Sequence, residues 1–330
     1  MMKAWLFEKI GEPMKLVDLP NPKAKPGWVV LNVEAAGMCH SDIAMTDGSG
    51  THWLSQLPIV LGHEVAGTIV EIGEGVTGFK VGDRVGVSGS AEGDENGVNN
   101  GSILGDSIPG IHINGGYAEQ TMVRASRLIP IPDEVSFEQA AVGTDAITTA
   151  YHAVMSSGNV KSGDVVGIIG LGGLGMNGLR IAAVSGANVY GIDLNEDLFE
   201  EAMKNGASGC FKDISELRAV KPNIIIDFAG MGTTTSEAVK AVNVDGRVVV
   251  VGLGKLEAII DTQVLIRRRI ELKGSLYGTN GDLRQVYQLL AKGLISPTLT
   301  EVPFNELNNV LEQFREGKTR GRIFTRPNRY

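Results

Sequence analysis

Cysteine is nearly missing from this chain: Cys39 and Cys210 are the only two in 330 residues. Two thiols cannot staple a protein of this size, so a disulfide framework is excluded and a reducing compartment fits. Long basic runs are missing as well. The net charge is −8, and the brief Arg267 to Arg269 triplet reads as a solvated edge, which speaks against nucleic acid as a partner. No charge-free apolar stretch reaches the about 18 residues that a membrane span needs. The opening "MMKAWLFEKIGE" carries no apolar h-region. The expectation is a cytosolic protein with neither membrane nor nucleic acid as a partner.

Glycine is the abundant residue, at 44, and much of it punctuates strand-to-helix junctions. The length predicts two domains. Residues 1 to about 145 read as β-rich: "WVVLNVEAAG", "EVAGTIVEIG" and "DRVGVSG" are short β-branched runs closed by turn residues. Ser88 to Gly116 is a long polar excursion, the signature of a functional or mobile lobe. After about Thr148 the rhythm changes. "GDVVGIIG" suits a strand buried on both faces, followed by a helix over Leu174 to Ser185 and the strand "ANVYGID". Asn195 offers an N-cap for "EDLFEEAMKNG", which Gly206 ends, and "NIIIDFAG" and "GRVVVVGL" continue the alternation. Strands alternating with helices predict an α/β fold with a doubly wound parallel sheet. Two amphipathic helices close the chain. One sets Leu283, Val286, Tyr287 and Leu290 on a single face, the other Leu307, Val310, Leu311 and Phe314, and both are read as facing a core.

"GIIGLGGLGMNG" places Gly170, Gly172 and Gly175 in G-x-G-x-x-G spacing, after a buried strand and at the opening of a helix. Gly170 would allow the tight turn and Gly172 the close approach of a pyrophosphate. Gly175 would let helix and strand pack, while the loop through Gly173 and Leu174 offers amide donors. Asp193 lies 18 residues beyond Gly175, at the end of the second strand, where a carboxylate accepts from a ribose 2′-hydroxyl and repels a 2′-phosphate. The following "LNED" has no cation to clamp such a phosphate, so NAD is expected over NADP.

Cys39-His40 in "GMCHSDIAMTDG" and His63-Glu64 in "PIVLGHEVAG" supply thiolate, imidazole and carboxylate, the ligand types of Zn²⁺. A catalytic zinc keeps three protein ligands and an open position, so a third ligand is expected elsewhere.

At these motifs the chain resembles the zinc-dependent alcohol dehydrogenases of the medium-chain dehydrogenase/reductase superfamily, over essentially its whole length. The residues that carry the resemblance are "GMCHSD", "GHEVAGTIVEIGEGVTGFKVGDRV", "GGYAE", "GLGGLG" and "GRIF". It implies a GroES-like β-rich catalytic domain over residues 1–147 and 277–330, and a Rossmann NAD-binding domain over 148–276. It implies NAD and one catalytic zinc as cofactors, a small alcohol or carbonyl as substrate, and a homodimer or homotetramer. Position by position, Cys39 and His63 match the first two zinc ligands and Asp145 the third, where a cysteine is usual. Glu64 matches the acidic neighbour able to exchange onto the metal, and Asp42 the carboxylate that orients the ligand histidine. Ser41 matches the hydroxyl that takes the alcohol's proton; His40 and Arg322 match groups near the cofactor pyrophosphate.

Two further departures stand out. The relay histidine usual five residues after the first cysteine is Ala44 here, so the proton is expected to leave by water or another group. The lobe from Ser88 to Gly116 contains no cysteine, which rules out a Cys₄ structural zinc by counting. Glu92, Asp94, Glu95 and Asp106 in that lobe read as solvated charge, Cys210 and His152 as core, His112 as exposed. His52 with Trp53, and Tyr277, are candidate lining for a substrate cleft. Three alternatives stay open: a polyol or sugar dehydrogenase, a zinc-free quinone or enoyl reductase of the same superfamily, and a retired enzyme serving as a binding protein.

Overall fold

The computed structural model describes residues 1–90, 105–319 and 321–329. The chain divides into two compact units, Met1–Asp145 with Thr279–Tyr330, and Ala146–Gly278.

The first unit is built on strands in two sheets. The long strand Trp28–Met38 pairs antiparallel with Glu64–Ile72, with Gln120–Arg124 and with Arg322–Thr325 near the C-terminus. Its alternation of β-branched and small residues lets it lie buried along most of its length. Val29, Leu31 and Val33 join a core with Phe7, Ile59, Ile69 and Tyr117. The expected C-terminal helices form over Asn280–Ala291 and Leu307–Arg315. All eight residues predicted to line their inner faces are buried, as i, i+3, i+4 spacing requires.

Strand Glu64–Ile72 begins directly after Gly62 and His63. Gly62 has φ +91°, and a Cβ there would lie 2.6 Å from the Tyr117 ring. Only glycine fits, on both counts. The backbone that delivers His63 is thereby clamped against Tyr117, whose amide donates to Leu61 O at 3.0 Å.

The base of the Ser88–Gly116 lobe is held by Arg127, which is fully buried. Its Nε donates to Ser107 Oγ at 3.0 Å and its Nη1 to the carbonyls of Gly89 and Ser90 at 2.8 and 2.9 Å. Sequence reading gave no hint of this residue, because a lone arginine in "RASRL" carries no local signal. Arg127→Met would keep the volume and lose the donors that bind these buried oxygens. Denaturant unfolding should register a loss of roughly 2–4 kcal/mol; a change under about 1 kcal/mol would mean that the stem holds without it. Of the lobe's acids, Asp106 is exposed, while Glu92, Asp94 and Glu95 lie outside the described residues.

The second unit carries a six-stranded, all-parallel sheet. In spatial order its strands are Ala207–Phe211, Asn188–Ile192, Val165–Ile169, Ile224–Asp227, Arg247–Val250 and Glu271–Gly274. Numbered along the chain this is the order 3-2-1-4-5-6 of a doubly wound fold, whose ligand crevice lies where the order reverses. That point falls between the ends of Val165–Ile169 and Ile224–Asp227. Helix Gly175–Val184 follows the glycine loop. Asn195 accepts from Asp197 N as expected, but it caps a short 3₁₀ turn that runs into helix Phe199–Lys204. Cys210 is half-buried and not core, because its strand lies at the sheet's edge. His152 is half-buried too, in a π-helical turn. Among the described residues no helix is long and apolar enough to cross a membrane.

Candidate functional site

Three separate pieces of the first unit bring the metal-type donors together. Cys39 ends the long strand and precedes helix His40–Asp47. His63 and Glu64 open the neighbouring strand, and Asp145 projects from a π-helical turn over Gly143–Ile147. One ligand atom each from Cys39, His63, Glu64 and Asp145 lies within 4.8 Å of the other three. His63 Nε2 is 3.2 Å from Asp145 Oδ2. The edge of a tetrahedral zinc site, with bonds of 2.0–2.3 Å, is about 3.3–3.8 Å.

The electrostatics also ask for a cation. Burial alone would lower the His63 pKa, yet the Asp42 charge and the bonds to Asp145, Asp42 and Cys39 hold it well above its ordinary value. Burial pushes the Glu64 carboxyl up to about 7 against the opposing Arg322 charge. Glu64 Oε1 pairs with Arg322 Nη2, while Oε2 is buried with no hydrogen-bond partner among the described residues. Gly37 makes room for it, since a Cβ there would meet Oε2 at 2.0 Å. A buried set of sulfur, nitrogen and carboxylate oxygen, all acceptors once zinc-ready, fits a divalent ion and fits little else.

Around these donors, Asp42 Oδ2 accepts from the Cys39 amide at 2.9 Å and Oδ1 stands 3.5 Å from His63 Nδ1. Ser41 is half-buried, with Oγ 3.6 Å from Cys39 Sγ. His40 is exposed and its ring lies 4.2 Å from that of Phe314. Arg322, expected near a pyrophosphate, is buried against Glu64. Ala44 faces Gly50 and Trp53: a Cβ on Gly50 would touch both. His52 is exposed, its ring 5.3 Å from that of Trp53 and tilted 59° to it. His112, read as exposed, is half-buried, because its Nδ1 accepts from the Ile108 amide at 3.2 Å.

In the second unit, Gly170 has φ +84° and packs on Ala229. A Cβ on Gly175 would strike Gly170 O at 1.6 Å, whereas one on Gly172 would meet no protein atom within 4 Å. Gly172 is therefore not required by protein packing, and the space above it suits a ligand backbone. Gly173 O accepts from Asn177 Nδ2 at 2.7 Å, and Leu174 leads into the helix. Asp193 ends its strand with Oδ2 accepting from Leu171 N at 2.7 Å and Oδ1 from Asn195 N at 2.8 Å. It lines a cavity of about 390 Å³ with Gly170, Asp213, Ala229, Thr233 and Thr234. Buried Asp227 shapes the far wall, accepting from Ala229 N, Gly230 N and the hydroxyls of Thr234 and Thr235. Asp213 and Asp227 went unread in the sequence; Asp227 closes the apolar run "IIID", the one signal that could have marked it.

Residues 25–133 match the alcohol dehydrogenase GroES-like domain, and residues 173–292 match the zinc-binding dehydrogenase domain. An alcohol dehydrogenase of Geobacillus stearothermophilus is 32% identical over 336 residues, covering 98% of both chains. The chain belongs to the alcohol dehydrogenase family of the medium-chain dehydrogenase/reductase superfamily. An NAD-dependent alcohol dehydrogenase of Sulfolobus acidocaldarius is 33% identical over 97% of this chain and 98% of its own. Among solved structures, acetophenone reductase of Geotrichum candidum in complex with NAD is 31% identical with a TM-score of 0.88, covering 98% of this enzyme and 97% of that chain. As a family member the chain is an oxidoreductase enzyme with a GroES-like and a Rossmann-type domain.

Proposed function

We propose that this enzyme transfers hydride reversibly between a small alcohol and its aldehyde or ketone, using NAD and a single catalytic zinc held by Cys39, His63 and Asp145, with Glu64 in reach of the same ion. The observation that carries the reading is the convergence of four donor atoms within 4.8 Å, from three stretches of sequence that lie far apart. When bound, zinc supplies Lewis acidity towards a substrate oxygen and NAD supplies the hydride acceptor.

The chain's own residues supply the rest. Asp42 orients His63 through Nδ1 and so aims Nε2 at the donor cluster. Ser41 is the hydroxyl that would receive the substrate's proton, and with Ala44 where relatives carry a relay histidine the proton would pass on to water or another group. Arg322 offsets the Glu64 charge inside the buried cluster. On the nucleotide side, Asp193 would accept from the ribose hydroxyls of NAD, and the amides after Gly170 would hold its pyrophosphate.

The test is a panel of alcohols and polyols assayed with NAD, with zinc quantified per subunit before and after chelation. One zinc per subunit, loss of turnover on stripping and recovery with zinc are expected. Full activity of stripped protein on quinones or enoyl substrates would replace this reading with the zinc-free reductase.

A further inference from the structure

The residues around His63 include one hydroxyl that no role above uses. Tyr117 is fully buried, and its hydroxyl donates to Asp42 Oδ2 at 2.8 Å. That same oxygen accepts from the Cys39 amide at 2.9 Å. The carboxylate is thus held on one side by two donors, and its other oxygen is left for histidine. Asp42 Oδ1 and His63 Nδ1 are both buried, have no other hydrogen-bond partner among the described residues, and face each other at 3.5 Å. The tyrosine ring meanwhile lies against Gly62, directly before His63 in the chain.

We infer that Tyr117 is a positioning residue for the metal centre: its hydroxyl fixes which Asp42 oxygen faces His63, and its ring fixes the backbone that carries His63. This rests on the reading of Cys39, His63 and Asp145 as metal ligands. A buried tyrosine hydroxyl must find a polar partner, and here it takes the carboxylate that faces His63. Phenylalanine would fill the same core space with no polar group to satisfy. Here the hydroxyl completes a chain from Tyr117 through Asp42 to His63. Without it, Asp42 Oδ2 keeps a single donor. The carboxylate can then pivot, and the imidazole loses its fixed orientation.

The experiment compares wild type, Tyr117→Phe, Asp42→Asn and the double variant as full-length zinc-loaded protein, reading zinc affinity by competition with a chromogenic chelator. Tyr117→Phe should weaken zinc about tenfold, within the range typical of groups that orient a ligand. In the Asp42→Asn background the same change should cost less than about twofold, because the two residues act through one chain. The melting temperature of Tyr117→Phe should fall further for zinc-loaded than for zinc-stripped protein, by linkage. Should the phenyl ring fail to pack, Tyr117→Met also lacks the hydroxyl and adapts to the space. Zinc held as tightly by the variant as by wild type, with both forms destabilised alike, would overturn the inference while leaving the metal reading intact. Wild type that binds no zinc would overturn both.

Discussion

Asp145→Asn should cost the enzyme its zinc and lower kcat/KM by more than about a hundredfold, exceeding the 10–100-fold typical of losing a group that merely orients a ligand. The substitution keeps the shape and removes one charge. With Cys39 as thiolate, His63 neutral and Asp145 ionised, the protein donors of the proposed site balance a divalent ion formally. The amide leaves one positive charge uncompensated in a buried cluster where Asp145 is only 17% exposed. Asp145→Cys restores that balance with a softer donor, so it should retain zinc at least as tightly as wild type. Metal content per subunit and turnover after dialysis check both. An Asn variant with full zinc and wild-type kcat/KM would remove Asp145 from the ligand set.

Asp193→Asn should erode the preference for NAD over NADP by two to three orders of magnitude in the ratio of kcat/KM values, since a like charge facing a phosphate costs several kcal/mol. Two consequences separate here. The amide oxygen can still accept from Leu171 N, as the carboxylate does at 2.7 Å. Its NH2 group cannot replace the oxygen that accepts from Asn195 N, so the turn should loosen without being lost. What disappears is the negative charge facing a 2′-phosphate. Asp213 lines the same cavity and keeps some repulsion, so the single variant should move towards NADP without reversing. Adding Leu194→Arg, at a position 81% exposed beside that cavity, should complete the reversal. Steady-state kinetics with both dinucleotides decide the matter, and an unchanged ratio would assign the selectivity elsewhere.

Much of this architecture is legible from periodicity. The β-branched runs at Val165, Ile224 and Arg247 become central parallel strands because an uninterrupted apolar stretch has no solvent face to offer. The inner faces of the last two helices announce themselves by spacing alone. Cys39, His63 and Glu64 were legible by residue type, but Asp145, in "AAVGTDAITTAYHAV", was readable only through resemblance. What aims the carboxylate is a widened π turn over Gly143–Ile147, a backbone event that no residue type announces. Tyr117 and Arg127 were illegible for a related reason. Each acts across a sequence distance of 75 and 20 residues respectively, to Asp42 and to Ser107, and pairings that long leave no local pattern. Cys210 and His112 went the other way: residue type suggested core and surface, and edge position and a turn hydrogen bond decided otherwise.

The guanidinium at the base of the lobe carries a consequence for durability. A loop stem fastened by Arg127 to a serine oxygen and two peptide carbonyls contains nothing that peroxide can corrode or that metal scarcity can drain. Under oxidants or metal shortage this stem should outlast the proposed metal centre, where the Cys39 thiol is itself a ligand candidate.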